Sequence, residues 1–174
     1  EADRLHVALH LRYLKEGWTP ESRLAMLQFY EEAQQRTGGG AYPRYILNVT
    51  RDFASSMDEA TMRQVLLHAD ELPNAALAAL YLLPDQVDDE ILSALRLADE
   101  KLASRDDEVV QRLQIGISAI LARAGDEASL AHLRRAWERD PFRRVAIAMG
   151  LSLQPSGENW PYLVRTLPIL EGNA

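Results

Sequence analysis

The sequence predicts an all-α fold, a superhelical stack of about ten helices paired as antiparallel hairpins. Three observations carry this. Apolar residues recur at helical spacing along nearly the whole chain. Short Gly, Pro and Asp-rich breaks divide it into segments of ordinary helix length, a pattern that returns each helix alongside its predecessor. No run alternates as a strand would. Composition agrees, since 47% of residues are apolar but only 7% aromatic, so the core must rest on Leu, Ala, Ile and Val. Leu and Ala lose little side-chain entropy in a helix.

Leu5, Leu9 and Tyr13, with Val7, Leu11 and Leu14, outline a first helix ending at Gly17. Thr19-Pro20-Glu21 restarts the chain as a second, because Thr caps, Pro suits the first helical position and an acid favours the positive end of the helix. Leu24, Leu27, Phe29 and Tyr30 mark its apolar face, and Gly38-Gly39-Gly40 ends it. A third is expected from about Pro43 to Ser55. Asp58 caps a fourth, with Met62, Val65, Leu66 and Ala69 inward. Pro73 opens a fifth, which Pro84 closes.

Asp88-Asp89-Glu90 starts a sixth segment with Ile91, Leu92, Leu95 and Leu102 inward. Asp106-Asp107-Glu108 starts a seventh reaching Arg123. Gly125-Asp126 turns into an eighth, carrying Leu130, Leu133 and Trp137. Asp140-Pro141 begins a ninth through Val145, Ile147, Met149 and Leu151, where Ala148 and Gly150 are expected at close helix contacts. After Pro155-Ser156-Gly157, a tenth carries Tyr162, Leu163, Leu167 and Leu170.

Repetition is visible in the starts. Pro73, Asp107 and Pro141 stand 34 residues apart, and Gly125 and Gly157, each followed by an acid, 32 apart. Two helices per such period, without strands, is the signature of an α-solenoid. Gly125-Asp126-Glu127 with Leu130 and Leu133, then Asp140-Pro141, Arg143-Arg144-Val145-Ala146 and Ala148-Met149-Gly150, resemble HEAT repeats of the short bacterial form. Asp106 to Ala122, with Val109 and Ala119, fits the second-helix pattern less closely. The resemblance covers the last 70 residues and implies a right-handed α-α superhelix. In it the Asp-Pro turn starts the second helix, the Arg-Val pair straddles its surface and core sides, and small residues let neighbours approach.

Leu14 to Thr19, Gly38-Gly39-Gly40, Asn48, Arg51 and Asp52 resemble a segment of large planctomycete-type proteins that join a sugar-dehydrogenase-like propeller, a helical region and a c-type cytochrome. This implies that the chain is the helical region of such a protein, exported or periplasmic. On this reading residues 1–174 form one solenoid domain, with divergent helices in 1–57 and HEAT-like repeats in 58–174.

Charge is unevenly spread. Residues 58–110 carry thirteen acids and four bases, a charge of −9, against −7 for the whole chain. Phosphate contacts supply most nucleic-acid affinity, so a polyanion is a poor partner. The absence of cysteine excludes disulfides, thiol catalysis, Cys-ligated zinc and covalently attached haem within these residues. The longest apolar run, Ala75 to Leu83, falls well short of the about 20 residues a bilayer span needs.

His6 and His10, four apart, share a helix face and suit a metal by spacing, but Val7 stands where a metalloprotease helix carries Glu and no third ligand is evident. They read as packing or solvent-facing residues, whereas the isolated His68 and His132, each in an apolar helix, read as packed. Asp85, Asp88, Asp89 and Glu90 lack the order of a calcium loop and read as helix N-terminal charge. Gly38-Gly39-Gly40 is followed by Ala41-Tyr42-Pro43, without the Lys and Ser/Thr of a phosphate loop, and reads as a turn.

The strongest cluster is Arg134, Arg135, Arg139, Arg143 and Arg144 with Trp137. Arginine favours bidentate carboxylate pairing and aromatic stacking, so the cluster fits a protein partner. Pairing with Glu138, Asp140 or the acidic middle of the same chain is the plainer reading of it. No catalytic, cofactor or metal site is expected. The sequence therefore predicts a non-catalytic scaffold or spacer that contacts protein or neighbouring domains. The alternative is a HEAT-like nucleic-acid-binding or DNA-glycosylase-type enzyme.

Overall fold

The computed structural model describes residues 17–35, 54 and 56–172. The first and third expected helices, His6, His10 and Gly38 to Gly40 lie outside the described residues. Within them the chain is all-α, with eight α-helices, one 3₁₀ turn and no strand. The chain divides into two compact units, 1–83 and 84–174.

In the first unit, α1 (Pro20–Gln35), α2 (Glu59–Leu67) and α3 (Pro73–Leu82) pack against one another. Leu27, Val65, Leu66, Ala75, Ala76 and Ala79 form the centre of their contact. Thr19 and Ser22 cap α1 reciprocally, the Ser22 N–H donating to Thr19 Oγ1 and the Thr19 N–H to Ser22 Oγ. Asp58 accepts from the Thr61 N–H at 2.9 Å to cap α2.

The start of α3 has no cap of its own. Leu72 precedes Pro73 and offers no side-chain acceptor. Glu31 of α1 supplies it instead. Its Oε2 accepts the Asn74 N–H at 2.9 Å and the Ala75 N–H at 3.4 Å, and Oε1 accepts Asn74 Nδ2 at 2.7 Å. Glu31 is only 4% exposed. A carboxylate at a helix start satisfies orphan donors and meets the positive end of the dipole, which is why a buried acid is tolerated on an apolar face.

The second unit comprises α4 (Asp89–Leu102), α5 (Glu108–Ala124), α6 (Glu127–Arg139), the 3₁₀ turn Pro141–Arg143, α7 (Arg144–Leu151) and α8 (Trp160–Glu171). Asp88, Asp107 and Asp126 cap α4, α5 and α6, each accepting from the N–H three residues on. Gly125 ends α5 in the left-handed region at φ +67°, as a helix C-terminus favours. α4 packs on α5, α6 on both α5 and α7, α7 on α5, and α8 on α7.

Leu95, Leu102, Leu113, Ile117, Leu121, Leu133, Ile147 and Leu151 are almost wholly buried at these contacts. Gly150 lies so near α5 that an added Cβ would stand 2.7 Å from Ala122 Cβ.

Several positions differ from expectation. The Asp140-Pro141 start is a 3₁₀ turn before α7, because Asp140 Oδ1 takes the Phe142 N–H. Met149, Leu167 and Leu170 are exposed. Val109 is half-buried and Ala119 exposed, while Val110, Ile117 and Ser118 take the inward places on α5. His68, expected to pack, ends α2 with its side chain 41% exposed, 3.8 Å from Glu71. No helix among the described residues is long and apolar enough to cross a membrane.

Candidate functional site

The arginine cluster is drawn together by an acid on another helix. Asp99 of α4 is 1% exposed. It stands in register with Leu92, Leu95 and Leu102, at spacings of three and four that put it on the buried face of α4. Arg143, also 1% exposed, grips it with both terminal nitrogens, Nη1 to Oδ1 at 2.6 Å and Nη2 to Oδ2 at 2.9 Å. This bidentate geometry is the strong form of the pair.

Further groups complete the arrangement. His132 Nε2 lies 2.8 Å from Asp99 Oδ2, and Arg139 Nη2 donates to the same oxygen at 3.2 Å. Arg143 Nε donates to Asp140 Oδ2 at 2.6 Å, and Nη1 reaches Ser118 Oγ and the Gln114 carbonyl. The two wholly buried charges, Asp99 and Arg143, thus balance, which burial demands, and Arg139 and Asp140 extend the set toward the surface. Because Asp99 is ionised, Nε2 of His132 donates to it. His132 Nδ1 has no hydrogen-bond partner and lies 3.7 Å from Glu100 Oε1.

Burial alone would push the Asp99 carboxyl up. Hydrogen bonds from His132 and Arg143, with their charges, outweigh it and hold the group below the usual aspartate range. Burial would likewise lower Arg143, and its bonds to Asp99 and Asp140 more than reverse this, so it stays charged.

Trp137, 2% exposed, is the second focus. Its Nε1 donates to Thr166 Oγ1 at 3.0 Å, and Tyr162 meets it edge-on at 5.5 Å. The Arg144 and Arg165 guanidiniums lie 4.7 and 4.3 Å from the Trp137 ring centroid, within cation–π range. Arg144 Nε also donates to the Trp137 carbonyl at 3.0 Å, and Arg165 pairs with Glu138. That pairing holds the Glu138 carboxyl below its usual range.

Of the six residues singled out from the sequence, Arg143 and Trp137 are buried and committed to internal partners. Arg134 bonds Glu127, Glu158 and Asn159, Arg139 bonds Asp99, and Arg144 covers Trp137. Only Arg135 of these six is exposed without a hydrogen bond or ion pair to a described residue. Intrachain pairing therefore accounts for most of the cluster. Arg143 takes the core side of its turn because Asp99 and Asp140 meet it there.

Two of the grooves on this unit bear on the acids and arginines. The larger, about 640 Å³, is lined among others by Asp85, Asp89, Asp126 and Arg123. Its acids are partly committed, Asp126 as the α6 cap and Asp85 to Arg123 at 3.3 Å. The smaller, about 230 Å³, lies between residues 103–106 and 139–142. Among the described residues no three His, Asp or Glu side chains group as a metal site.

No protein-family model, curated protein or solved structure matches this chain.

Proposed function

We propose that this chain is a non-catalytic helical scaffold, a spacer or interaction module of a larger bacterial protein, built as a HEAT-like right-handed superhelix of hairpins. The observation that supports this reading best is the Asp99–Arg143 pair. It joins α4 to the turn before α7, and so one two-helix unit to the next. In a stacked array each unit buries its apolar face only against its neighbours, so such ties suit a structural role. The chemically capable groups of the second unit, His132, Asp99, Arg143 and Asp140, are spent on holding helices together.

The nucleic-acid reading fares worse. It needs free cations, whereas the arginines mostly serve intrachain partners and residues 58–110 carry −9. Reading the gene on both sides of these residues tests the spacer role. A frame that continues into other domains supports it, and a frame confined to these residues contradicts it. Fluorescence anisotropy with a labelled DNA duplex at low and high salt tests the rival. Saturable binding that salt abolishes would favour the nucleic-acid reading.

A further inference from the structure

α4 and α6 are each followed by a second helix, α5 and α7, that folds back against them, and α7 also lies on α5. α8 packs on α7 much as α6 packs on α5, so it occupies the place of a first helix. No second helix follows it among the described residues. The difference in burial is plain. α5, flanked by α4, α6 and α7, buries Val110, Leu113, Gln114, Ile117, Ser118, Leu121 and Ala122, whereas α8 buries only Thr166.

Apolar residues stand uncovered on α7, on the turn after it and on α8. Met149 of α7 is 68% exposed and Leu153, two residues past its end, 64%. On α8, Trp160, Val164 and Leu167 are 64%, 45% and 55% exposed, at spacings of four and three that make one helical stripe. Arg165, the one cation of α8, lies on the other side of the helix, held by Glu138 and stacked over Trp137. From Trp160 to Leu167 the stripe is uncharged, Glu171 joining it only at the last residue of α8, and an exposed apolar patch of this kind marks a packing surface.

We infer that this face seats a further helix, supplied by the polypeptide that follows residue 174, which folds back on α8 as α5 does on α4 and α7 does on α6. Its facing stripe is apolar where it meets Trp160, Val164 and Leu167. The inference rests on the spacer reading and names the neighbour that this end of the module contacts.

The test compares the 174-residue chain with one extended through the next helix of its natural reading frame. Acrylamide quenching of Trp160 is taken as the difference between each protein and its Trp160→Phe variant. The expected result is that quenching of Trp160 in the longer chain falls toward that of the buried Trp137, and that Leu167→Glu restores it. In the 174-residue chain the same substitution leaves the thermal midpoint unchanged, because Leu167 is already exposed. Equal quenching of Trp160 in both chains overturns the inference while leaving the spacer role standing. A 174-residue chain that dimerises and shields Trp160 assigns the face to a second copy, and also overturns it. A frame that ends at these residues removes both readings.

Discussion

Arg143 meets Asp99 across 44 residues of sequence through two parallel hydrogen bonds of 2.6 and 2.9 Å, and both side chains are 1% exposed. This relationship turns the densest group of cations in the chain inward. It also fixes where the 3₁₀ turn before α7 sits against α4, since the guanidinium fork accepts one orientation of the carboxylate.

Acid should loosen the second unit through Asp99. Its carboxyl titrates lower when folded than the about 3.9 of an unfolded aspartate. As pH falls the unfolded chain therefore takes up the proton first, and the stabilisation present above that value is lost as pH drops through the lower folded value. Urea midpoints measured at successive pH values below 5 should fall, and Asp99→Asn should flatten that slope. A slope identical in the variant would show that other carboxylates carry it.

The first unit should depend on Glu31. Glu31→Ala leaves the Asn74 and Ala75 N–H groups at the start of α3 without their acceptor. Hydrogen bonds to a charged group contribute about 1.5–3 kcal/mol, and a loss of that size is expected in denaturant unfolding. Hydrogen exchange of those two amides should quicken more than that of the α2 amides.

Close approach of α5 and α7 makes Gly150 sensitive. Gly150→Ala places a methyl 2.7 Å from Ala122 Cβ, where the neighbour is a short side chain that cannot swing aside. Overpacking of about 1–3 kcal/mol should outweigh the gain of about 1 kcal/mol in helix propensity. Adding Ala122→Gly should recover much of the loss. Ala148→Leu, at a position 5% exposed, should be destabilising by a similar mechanism. Unchanged denaturation midpoints would contradict this packing.

The elements that read most clearly from sequence are those whose signals are local. Asp58, Asp88, Asp107 and Asp126 start helices as expected because a cap acts on N–H groups two or three residues away, and Pro73 does so because its fixed φ suits the first helical position. Asp99 and Glu31 were not legible in the same way, since their partners stand 33 to 44 positions distant. A signal was nonetheless present. Asp99 interrupts the Leu92, Leu95, Leu102 stripe and Glu31 extends the Leu24, Leu27 stripe, so both acids stand on apolar faces where burial requires a partner. Leu167 and Leu170 misled in the opposite sense, because helical periodicity marks a face to be covered without saying what covers it.

The most direct test of the claim that the arginine cluster is an internal fastening is a double-mutant cycle on Asp99 and Arg143. Asp99→Asn, Arg143→Met and the double variant are compared with the parent by urea unfolding. Each single change strands a buried charge and should cost about 3–5 kcal/mol. The double change should cost less than their sum, with a coupling of about 1–3 kcal/mol. Strictly additive losses, or an Arg143→Met protein as stable as the parent, would contradict the account and return Arg143 to the list of free binding groups.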